Sequence, residues 1–399
     1  MAKQLDPTPF PSAPKAPGDS CECCRPENLR RDASDFDCCG GPAPAGAGPW
    51  ERPGYNVCDY VKDFLEDRSG TVPIVHTHIS LSDRLGGLMV RLGIGRENYR
   101  VSPGRYAVGR PDSESPVLVT ANYKLTFDAL RRCLTGMDAW ILVVDTCGIN
   151  VWCAAGKGTF STEEVVRRVE AAGLAQIVAH RTLVLPQLAA TGVSAVKVHQ
   201  KSGFSVVWGP VRAVDIPAFL RNGMKAEPVQ RQVTFSFAER LVLIPVELSA
   251  CLKPSLAILA ALFILSGIGP WIFSPAEAGD RGLTAAAAYL GGVFAGGILV
   301  PLLLPWVPGR AFSIKGGIAG VGAGLVVAVA AAGRFGLWGW AASILMASAV
   351  ASYLAMNFTG ATPFTSPSGV EKEMRRAIPI QAAAALAGVA AWIGSAFGI

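Results

Sequence analysis

Short runs of β-branched and other apolar residues alternate with stretches of helical periodicity between about residues 71 and 225. This alternation is typical of a parallel sheet with helical crossovers. The runs predict strands at 117–120, 139–145, 183–185, 195–199 and 205–208, and the amphipathic stretches predict helices at 126–134, 162–172 and 215–221. We therefore expect residues 57–253 to form an α/β, Rossmann-like domain that binds its ligand at the carboxyl ends of the strands.

After residue 253 the pattern changes to long apolar segments. Five of them, near 255–273, 285–307, 316–333, 337–357 and 378–398, approach the roughly 20 residues that a membrane-spanning helix needs. Residues 254–399 are therefore expected to form an all-α transmembrane domain of five helices. Their abundant glycines, as at Gly316, Gly320 and Gly324, favour close helix packing. Since no charge lies at the centre of a segment, the pattern favours anchoring over transport, which stays open as the alternative.

The few charges in this region predict its orientation. Arg310 and Lys315 share one loop, and Lys372, Arg375 and Arg376 share another loop two crossings away. Positive loops remain in the cytoplasm. We therefore expect a multi-pass protein of the inner (cytoplasmic) membrane, with its N-terminal domain in the cytoplasm and its C-terminus outside.

Composition agrees with this division. Of the 399 residues, 51% are hydrophobic and only 17% are charged, which excludes a soluble single-domain enzyme. The net charge of +6 includes no basic block or aromatic-basic alternation, so nucleic acid is not an expected partner.

Residues 1–56 are rich in proline and cysteine and lack apolar periodicity, which predicts a disordered extension. No secretory signal is evident, so the thiols are expected to be reduced in a cytoplasm. Two interpretations stay open for this extension, a functionless tail or capture of soft metal ions by clustered thiols. The thiols concerned are Cys21, Cys23, Cys24, Cys38 and Cys39.

The segment 150–158, directly after the predicted strand 139–145, carries the chemistry. Asn150 is a good N-cap for a short helix that Gly156 can end. Cys153 then lies in the first turn, where amide donors and the helix dipole favour a thiolate. Such a thiolate can act as a nucleophile or as a metal ligand.

Three other motifs do not fit this segment. A phosphate-binding loop would need glycine at Val151 and a hydroxyl residue at Gly158, and a dinucleotide fingerprint would need glycine at Ser161. No local histidine signature supports a catalytic cysteine. A buried structural cysteine stays open as an alternative, and His76 and His78 are interpreted as a structural pair rather than as metal ligands.

The letters N-V-W-C-A-A-G-K at 150–157 resemble the cap-helix motif of the mercury-methylating corrinoid proteins, membrane-anchored relatives of the corrinoid iron-sulfur proteins. The resemblance covers about residues 71–253, and the five-helix tail fits it. Further motifs that carry it lie at 93–96, 117–126, 202–206 and 209–213.

This resemblance implies that Cys153 ligates the cobalt of a cobamide from its lower face. It also implies that Thr120, Thr126, Val151 and Ala213 line the corrinoid. The remaining cap-helix residues are expected at the cofactor as well, with Trp152 as a packing anchor and Lys157 either solvated or on an acidic edge of the cofactor. These residues are Asn150, Trp152, Ala154, Ala155, Gly156 and Lys157.

The function implied by the resemblance is a cobamide-dependent methyltransferase that passes a methyl group from methyl-Co(III) to Hg(II). A methyl-donor methyltransferase is one implied partner. A separate two-cluster ferredoxin-like electron donor is the other, because the sequence has no C-x-x-C-x-x-C run for an iron-sulfur cluster. Two alternatives stay open, a corrinoid methyl carrier with a different soft acceptor and a non-enzymatic membrane protein for metal binding or transport.

Overall fold

The computed structural model describes residues 58–67, 70–270, 272–358 and 367–398. They form two compact units, which are described separately. The first comprises the described residues up to Thr77 together with Arg100–Trp208, and the second comprises His78–Tyr99 together with the described residues from Gly209 onward. The domain boundaries expected from the sequence, at residues 57 and 254, stay predictions. The cysteines of the predicted extension, from Cys21 to Cys39, lie outside the described residues.

Within the described residues, the first unit holds a seven-stranded sheet. Its strands are β1 (Val61–Asp67), β2 (Gly70–Val75), β3 (Gly104–Val108), β4 (Val117–Ala121), β5 (Ala139–Val144), β6 (Thr182–Leu185) and β7 (Ser205–Trp208). The order is β1-β2-β3-β5-β4-β6-β7. Strands β5, β4, β6 and β7 are parallel, whereas β3 is antiparallel to β5 and β1 is antiparallel to β2. The unit is therefore a mixed α/β domain with a largely parallel sheet.

The helices of both units follow in chain order. Those up to residue 221 are α1 (Leu81–Arg91), α2 (Lys124–Cys133), α3 (Val151–Lys157), α4 (Thr162–Ala171), α5 (Leu174–Ile177), α6 (Ala195–Ser202) and α7 (Ile216–Arg221). The long apolar helices are α8 (Phe237–Ser266), α9 (Pro275–Leu302), α10 (Phe312–Ala330), α11 (Leu337–Asn357) and α12 (Pro367–Gly394). Helices α2 to α6 belong to the first unit, and the others belong to the second.

The core of the first unit lies around the central strands. Every residue of β4 and β5 is buried, as expected for parallel strands that are covered on both faces. Burying a large side chain such as Leu142, which is fully inaccessible, stabilises the fold by about 2 kcal/mol. The carboxyl ends of these two strands lie side by side, since Thr120 pairs with Val143 and Ala121 pairs with Val144.

One predicted strand is wrong, because residues 195–199 begin helix α6. Ser194 caps this helix by accepting a hydrogen bond from the amide of Lys197, and Gly203 ends it in a left-handed conformation. Of its eight residues, only Val198 is fully buried, so the apolar letters do not form a strand face. Strands β1 to β3 were not predicted from the sequence.

Within the second unit, five helices are long and apolar enough to cross a membrane, judged by length and composition over the described residues. The first of them begins at residue 237, well before the predicted start near 255. Ser236 and Glu239 form a capping box at its first turn. Charged residues ahead of the predicted start, among them Glu239 and Lys253, interrupt the apolar pattern and so hid this part of the helix.

Glycines on α10 allow close packing against α11, as predicted. A Cβ atom placed on Gly316, Gly320 or Gly324 would lie within 3 Å of the α11 backbone at Ala351, Ala347 or Ile344, respectively. The glycines are spaced four residues apart and therefore face one side of α10. Contact between the two backbones at this distance is the small-residue packing typical of membrane helices.

Buried cations satisfy the carbonyl groups at helix ends in this unit. Arg281, in the first part of α9, donates to the carbonyls of Ser266 and Trp392 near the ends of α8 and α12. Arg240 donates to the carbonyl of Leu302, and Lys315 donates to the carbonyl of Leu304. Carbonyls in the last turn of a helix have no partner within the helix, so these cations replace water there.

Candidate functional site at the helix after strand β5

The candidate site begins where β5 ends. The loop 145–150 connects β5 to α3, and one buried side chain makes several of the hydrogen bonds that hold it. Asn122, directly after β4, accepts hydrogen bonds at Oδ1 from the Thr146 amide (3.1 Å), the Thr146 hydroxyl (2.8 Å) and the Gly148 amide (2.9 Å). Its Nδ2 donates to Asp145 Oδ1 at 3.0 Å. Since Asn122 and Thr146 are inaccessible to solvent, this network fixes the loop to the neighbouring strand.

The same loop makes a tight left-handed turn. Cys147 has φ of 56° and Gly148 has φ of 72°. A non-glycine residue in this region costs about 1 kcal/mol. The Asp145 carboxylate contributes to holding it there, because Oδ1 accepts the Cys147 amide at 2.9 Å.

Helix α4 adds a further support to the end of β5. Glu164, in the first turn of α4, is buried and accepts the Asp145 amide at 2.8 Å. Its carboxylate also pairs with Arg167 and with Arg168, the latter at 3.1 Å. The chain entering the candidate site is therefore held by groups from β4, β5 and α4.

Helix α3 has seven residues with well-defined ends. Asn150 is its N-cap, as predicted, and its side chain accepts the Cys153 amide at 2.9 Å. Gly156 was expected to end the helix, but α3 continues through Lys157. Gly158 ends it instead, with φ of 79°. Asn150 and Gly158 therefore fix the two ends of this short helix.

Burial divides α3 into two faces. Val151, Ala154 and Ala155 are buried in the core of the first unit, and Trp152 is half-buried. The exposed face consists of Cys153, Gly156 and Lys157. The thiol of Cys153 is therefore accessible to solvent, while the opposite face of its helix packs against the core of the first unit. This exposure argues against the buried structural cysteine considered from the sequence.

The buried face of α3 rests on the segment after β6. A Cβ atom on Gly192 would lie within 3 Å of the Ala155 backbone and of the Phe160 carbonyl. Only glycine fits this contact, so the position of α3 depends on Gly192. Neither Gly192 nor Asn122 was predicted from the sequence to be part of the site.

The other predicted site residues lie in different surroundings. Thr120 is buried within β4, and Thr126 is half-buried in the first turn of α2. Ala213 is half-buried and begins a short 3-10 turn (Ala213–Asp215) in the second unit. Their contact with a corrinoid stays a prediction.

The described residues contain no group of three or more histidine, cysteine or acidic side chains placed to hold a metal ion. His76 is exposed, and its carbonyl accepts a hydrogen bond from Arg131 at 2.6 Å. The interpretation of His76 and His78 as a structural pair stays a prediction. Cys153 likewise has no set of protein ligands around it in the described part of the chain.

Part of the chain is similar in sequence to a known protein family. Residues 91–220 match the family model named CO dehydrogenase/acetyl-CoA synthase delta subunit. This segment contains β3 to β7 and the candidate site.

Individual relatives match over the same extent. The acetyl-CoA decarbonylase/synthase complex subunit gamma of Methanopyrus kandleri is 39% identical over 131 residues, which is 32% of this chain and 28% of that protein. The subunit of the same name from Methanocaldococcus jannaschii is 34% identical over 129 residues, 32% of this chain and 26% of that protein. The subunit from Methanosarcina acetivorans is 36% identical over 131 residues, again 32% and 28%. The chain therefore spans little more than a quarter of the length of these relatives.

These matches contradict the resemblance to mercury-methylating corrinoid proteins. All the motifs that carried it, from 93–96 to 209–213, lie inside the segment matched by the delta-subunit model. They are therefore motifs of this segment and do not single out mercury chemistry. The prediction of methyl transfer to Hg(II), with Hg(II) as the acceptor, is therefore wrong. What the comparisons establish is that residues 91–220 are similar to subunits of the CO dehydrogenase/acetyl-CoA synthase and acetyl-CoA decarbonylase/synthase systems.

Proposed function

We propose that the first unit is a Rossmann-like corrinoid-binding domain and that the protein is a cobamide-dependent methyl carrier acting together with partner subunits. The observation that carries this proposal is the exposed Cys153 thiol on a helix that is fixed at both ends and buried on its opposite face. Similarity to subunits of acetyl-CoA decarbonylase/synthase complexes supports it.

The residues present fit a cobamide better than a bare metal ion. A bare ion needs three or four protein ligands, and the described residues offer no such group. A corrin would bring most of the ligands of its own cobalt, so one soft donor from the protein, such as the Cys153 thiolate, would be enough. One accessible thiol without neighbouring ligands matches that need.

The side chains around Cys153 have simple roles in this proposal. Gly156, next to the thiol on the exposed face, leaves room for a broad flat ligand, since a Cβ atom there would meet nothing within 4 Å. Thr126 and Lys157 offer a hydroxyl and a cation to polar edges of the ligand, and Thr120 and Val151 remain proposed lining residues within the first unit. Asn150 holds the backbone of Cys153 in position through its 2.9 Å hydrogen bond.

When bound, the cobamide would supply the cobalt centre that accepts and releases the methyl group. The protein fixes the donor thiol before the cofactor arrives, because Asn122 and Asn150 already hold the loop and the helix. A donor residue that is already held in position loses little conformational entropy when the cofactor binds.

Partner proteins are part of the proposal. The matched relatives are named as subunits of complexes, which supports a methyl donor and a methyl acceptor on other chains. A low-potential ferredoxin-like protein would keep the cobalt reduced, since the sequence contains no C-x-x-C-x-x-C run.

We also propose that α8 to α12 span the cytoplasmic membrane and that the α/β unit faces the cytoplasm. Five apolar helices of sufficient length support the first statement. The cations support the second, because Arg310, just before α10, and Arg376, in the first part of α12, lie at one end of the helical unit. The Ser313 amide of α10 donates to Glu373 of α12 at 2.6 Å and so joins the first turns of the two helices. Arg376 therefore lies in a helix and not in the loop predicted from the sequence. An excess of positive charge favours the cytoplasmic side.

The decisive test compares Cys153→Ala with Cys133→Ala. Cys133 is a half-buried cysteine of the same unit that ends α2. The purified full chain, loaded with cobamide, should show a visible absorption spectrum that changes on Cys153→Ala and stays the same on Cys133→Ala. If neither substitution changes the spectrum, Cys153 is not the cobalt ligand. If the unaltered chain retains no cobamide, the proposed function is wrong.

A further inference from the structure

A cavity of about 540 Å³ lies among α10, α11 and α12 in the second unit. One end is charged and is lined by Lys372, Glu373 and Arg376. The other end is apolar and is lined by Ile380 and Ala384. From Lys372 to Ala384 the cavity follows α12 for twelve residues, or roughly 18 Å at 1.5 Å per residue.

Gln381 lines this cavity, and its side-chain oxygen is a buried acceptor with no hydrogen-bond partner among the described residues. The residue is 8% exposed, and its Nε2 donates to Ser352 Oγ at 2.9 Å. The Ser352 hydroxyl in turn donates to the Ser313 carbonyl at 2.8 Å, so the orientation of the amide is fixed. Among the described residues, no donor reaches Gln381 Oε1. A buried acceptor without a partner costs about 1–3 kcal/mol, which favours an occupant that donates a hydrogen bond.

The charged end of the cavity has an excess of positive charge. One carboxylate oxygen of Glu373 accepts the Ser313 amide at 2.6 Å. Lys372 and Arg376 are exposed, and no residue in the described ranges forms an ion pair with either. The neighbouring Arg375 differs, because it pairs with Glu371 at 2.7 Å and does not line the cavity.

We propose that this cavity is a binding site for an anionic phospholipid with a hydroxyl-bearing headgroup. Its phosphate binds Lys372 and Arg376, a headgroup hydroxyl donates to Gln381 Oε1, and an acyl chain lies along Ile380 and Ala384. Basic pockets between membrane helices on the cytoplasmic side are suited to acidic lipid headgroups. This inference rests on the membrane placement proposed above, which puts Lys372 and Arg376 at the cytoplasmic leaflet.

The test uses the purified full chain in neutral detergent with equal amounts of phosphatidylglycerol and phosphatidylcholine. Native mass spectrometry should show that phosphatidylglycerol is retained preferentially. Because each cation near a lipid phosphate contributes about fivefold in affinity, Lys372→Gln with Arg376→Gln should weaken phosphatidylglycerol binding by roughly 25-fold. Gln381→Leu should weaken it by about fivefold, the loss of one hydrogen bond.

Arg375→Gln is the matched control, and it should leave phosphatidylglycerol binding unchanged. Equal retention of the two lipids would overturn the inference. An equal loss with Arg375→Gln would also overturn it, since general charge attraction would then explain the preference. A third arm adds inorganic phosphate, and full displacement of the lipid by phosphate alone would identify a phosphate site instead of a lipid site.

Failure of this inference can be distinguished from failure of the proposed function. The double variant at Lys372 and Arg376 should keep the cobamide spectrum, and Cys153→Ala should keep the lipid preference. If the unaltered chain shows no cobamide spectrum, the lipid preference can still be observed. If the unaltered chain shows no lipid preference, the cobamide spectrum can still be observed.

Discussion

Tyr60 is a buried phenol close to the start of the described chain. It is 5% exposed, and its ring packs edge-on against Phe127 with the centroids 5.4 Å apart. Burial, followed by the neighbouring Cys58, raises the pKa of the Tyr60 phenol far above its ordinary value of 10. Burial also raises the pKa of the Cys58 thiol.

These shifts predict alkaline destabilisation of the first unit. The folded state holds the phenol proton more tightly than the unfolded state does, so the stabilisation is complete below pH 10 and is lost as the pH rises above it. For Tyr60 alone, the free energy of unfolding should fall by up to about 1.4 kcal/mol per pH unit above about pH 10. The raised pKa of the Cys58 thiol adds to this fall from about pH 9, its ordinary pKa. Pulse proteolysis of the full chain in urea at pH 9 to 11 measures this fall. Tyr60→Phe should make the fall less steep, and an unchanged slope would contradict the assignment to Tyr60.

Individual residues of the candidate site differ in how far the sequence predicts them. Asn150 could be predicted as an N-cap because capping depends on letters three positions apart. Asn122 could not, since its partners Thr146 and Gly148 lie 24 and 26 residues further along the chain. A polar residue directly after a strand was the available signal. Nothing in the letters says which loop it binds.

At the scale of elements, the two glycines around the end of α3 should respond oppositely to alanine. Gly158 has φ of 79°, where alanine costs about 1 kcal/mol, so Gly158→Ala should destabilise the first unit. Gly156 is helical with open space around it, so Gly156→Ala should stabilise by about 0.5–1 kcal/mol. Urea midpoints at pH 7 measure both. Equal effects of the two substitutions would contradict the observed end of α3.

The elements that the sequence predicts well are those whose buried residues form a simple pattern of apolar letters. Strands β4 and β5 are buried throughout and appear as continuous apolar runs. Helix α6 was mistaken for a strand because its eight residues include two valines and an alanine but only Val198 reaches the core. Strand β1 was missed because its residues are only partly buried, and its place in the sheet depends on pairing with β2. Edge strands of this kind have no strong apolar signal.

At the scale of the whole molecule, the two ends of the helical unit differ in the cations that they hold. Arg240, Lys315 and the loop that holds Arg310 lie at the end where α9 finishes. Arg281 lies at the opposite end, where it donates to carbonyls near the ends of α8 and α12. The sequence predicted this division from loop charges alone. It could not show that Arg240, Arg281 and Lys315 are buried and bind helix ends.

This distribution predicts the orientation of the chain in the membrane. Alkaline phosphatase is active only outside the cytoplasm, so a fusion after Gly333 or after Ile399 should be active and a fusion after Gly309 should be inactive. The reason is that the cation-rich end is retained in the cytoplasm by the membrane potential and by acidic lipids. Activity and protein level are measured together in cells, so that an unstable fusion is not mistaken for a cytoplasmic one. The reverse pattern would place the α/β unit outside the cytoplasm, away from low-potential electron donors, and would contradict both the membrane placement and the methyl-carrier function that depends on such donors. Three inactive fusions at normal protein level would show that α8 to α12 do not cross the membrane.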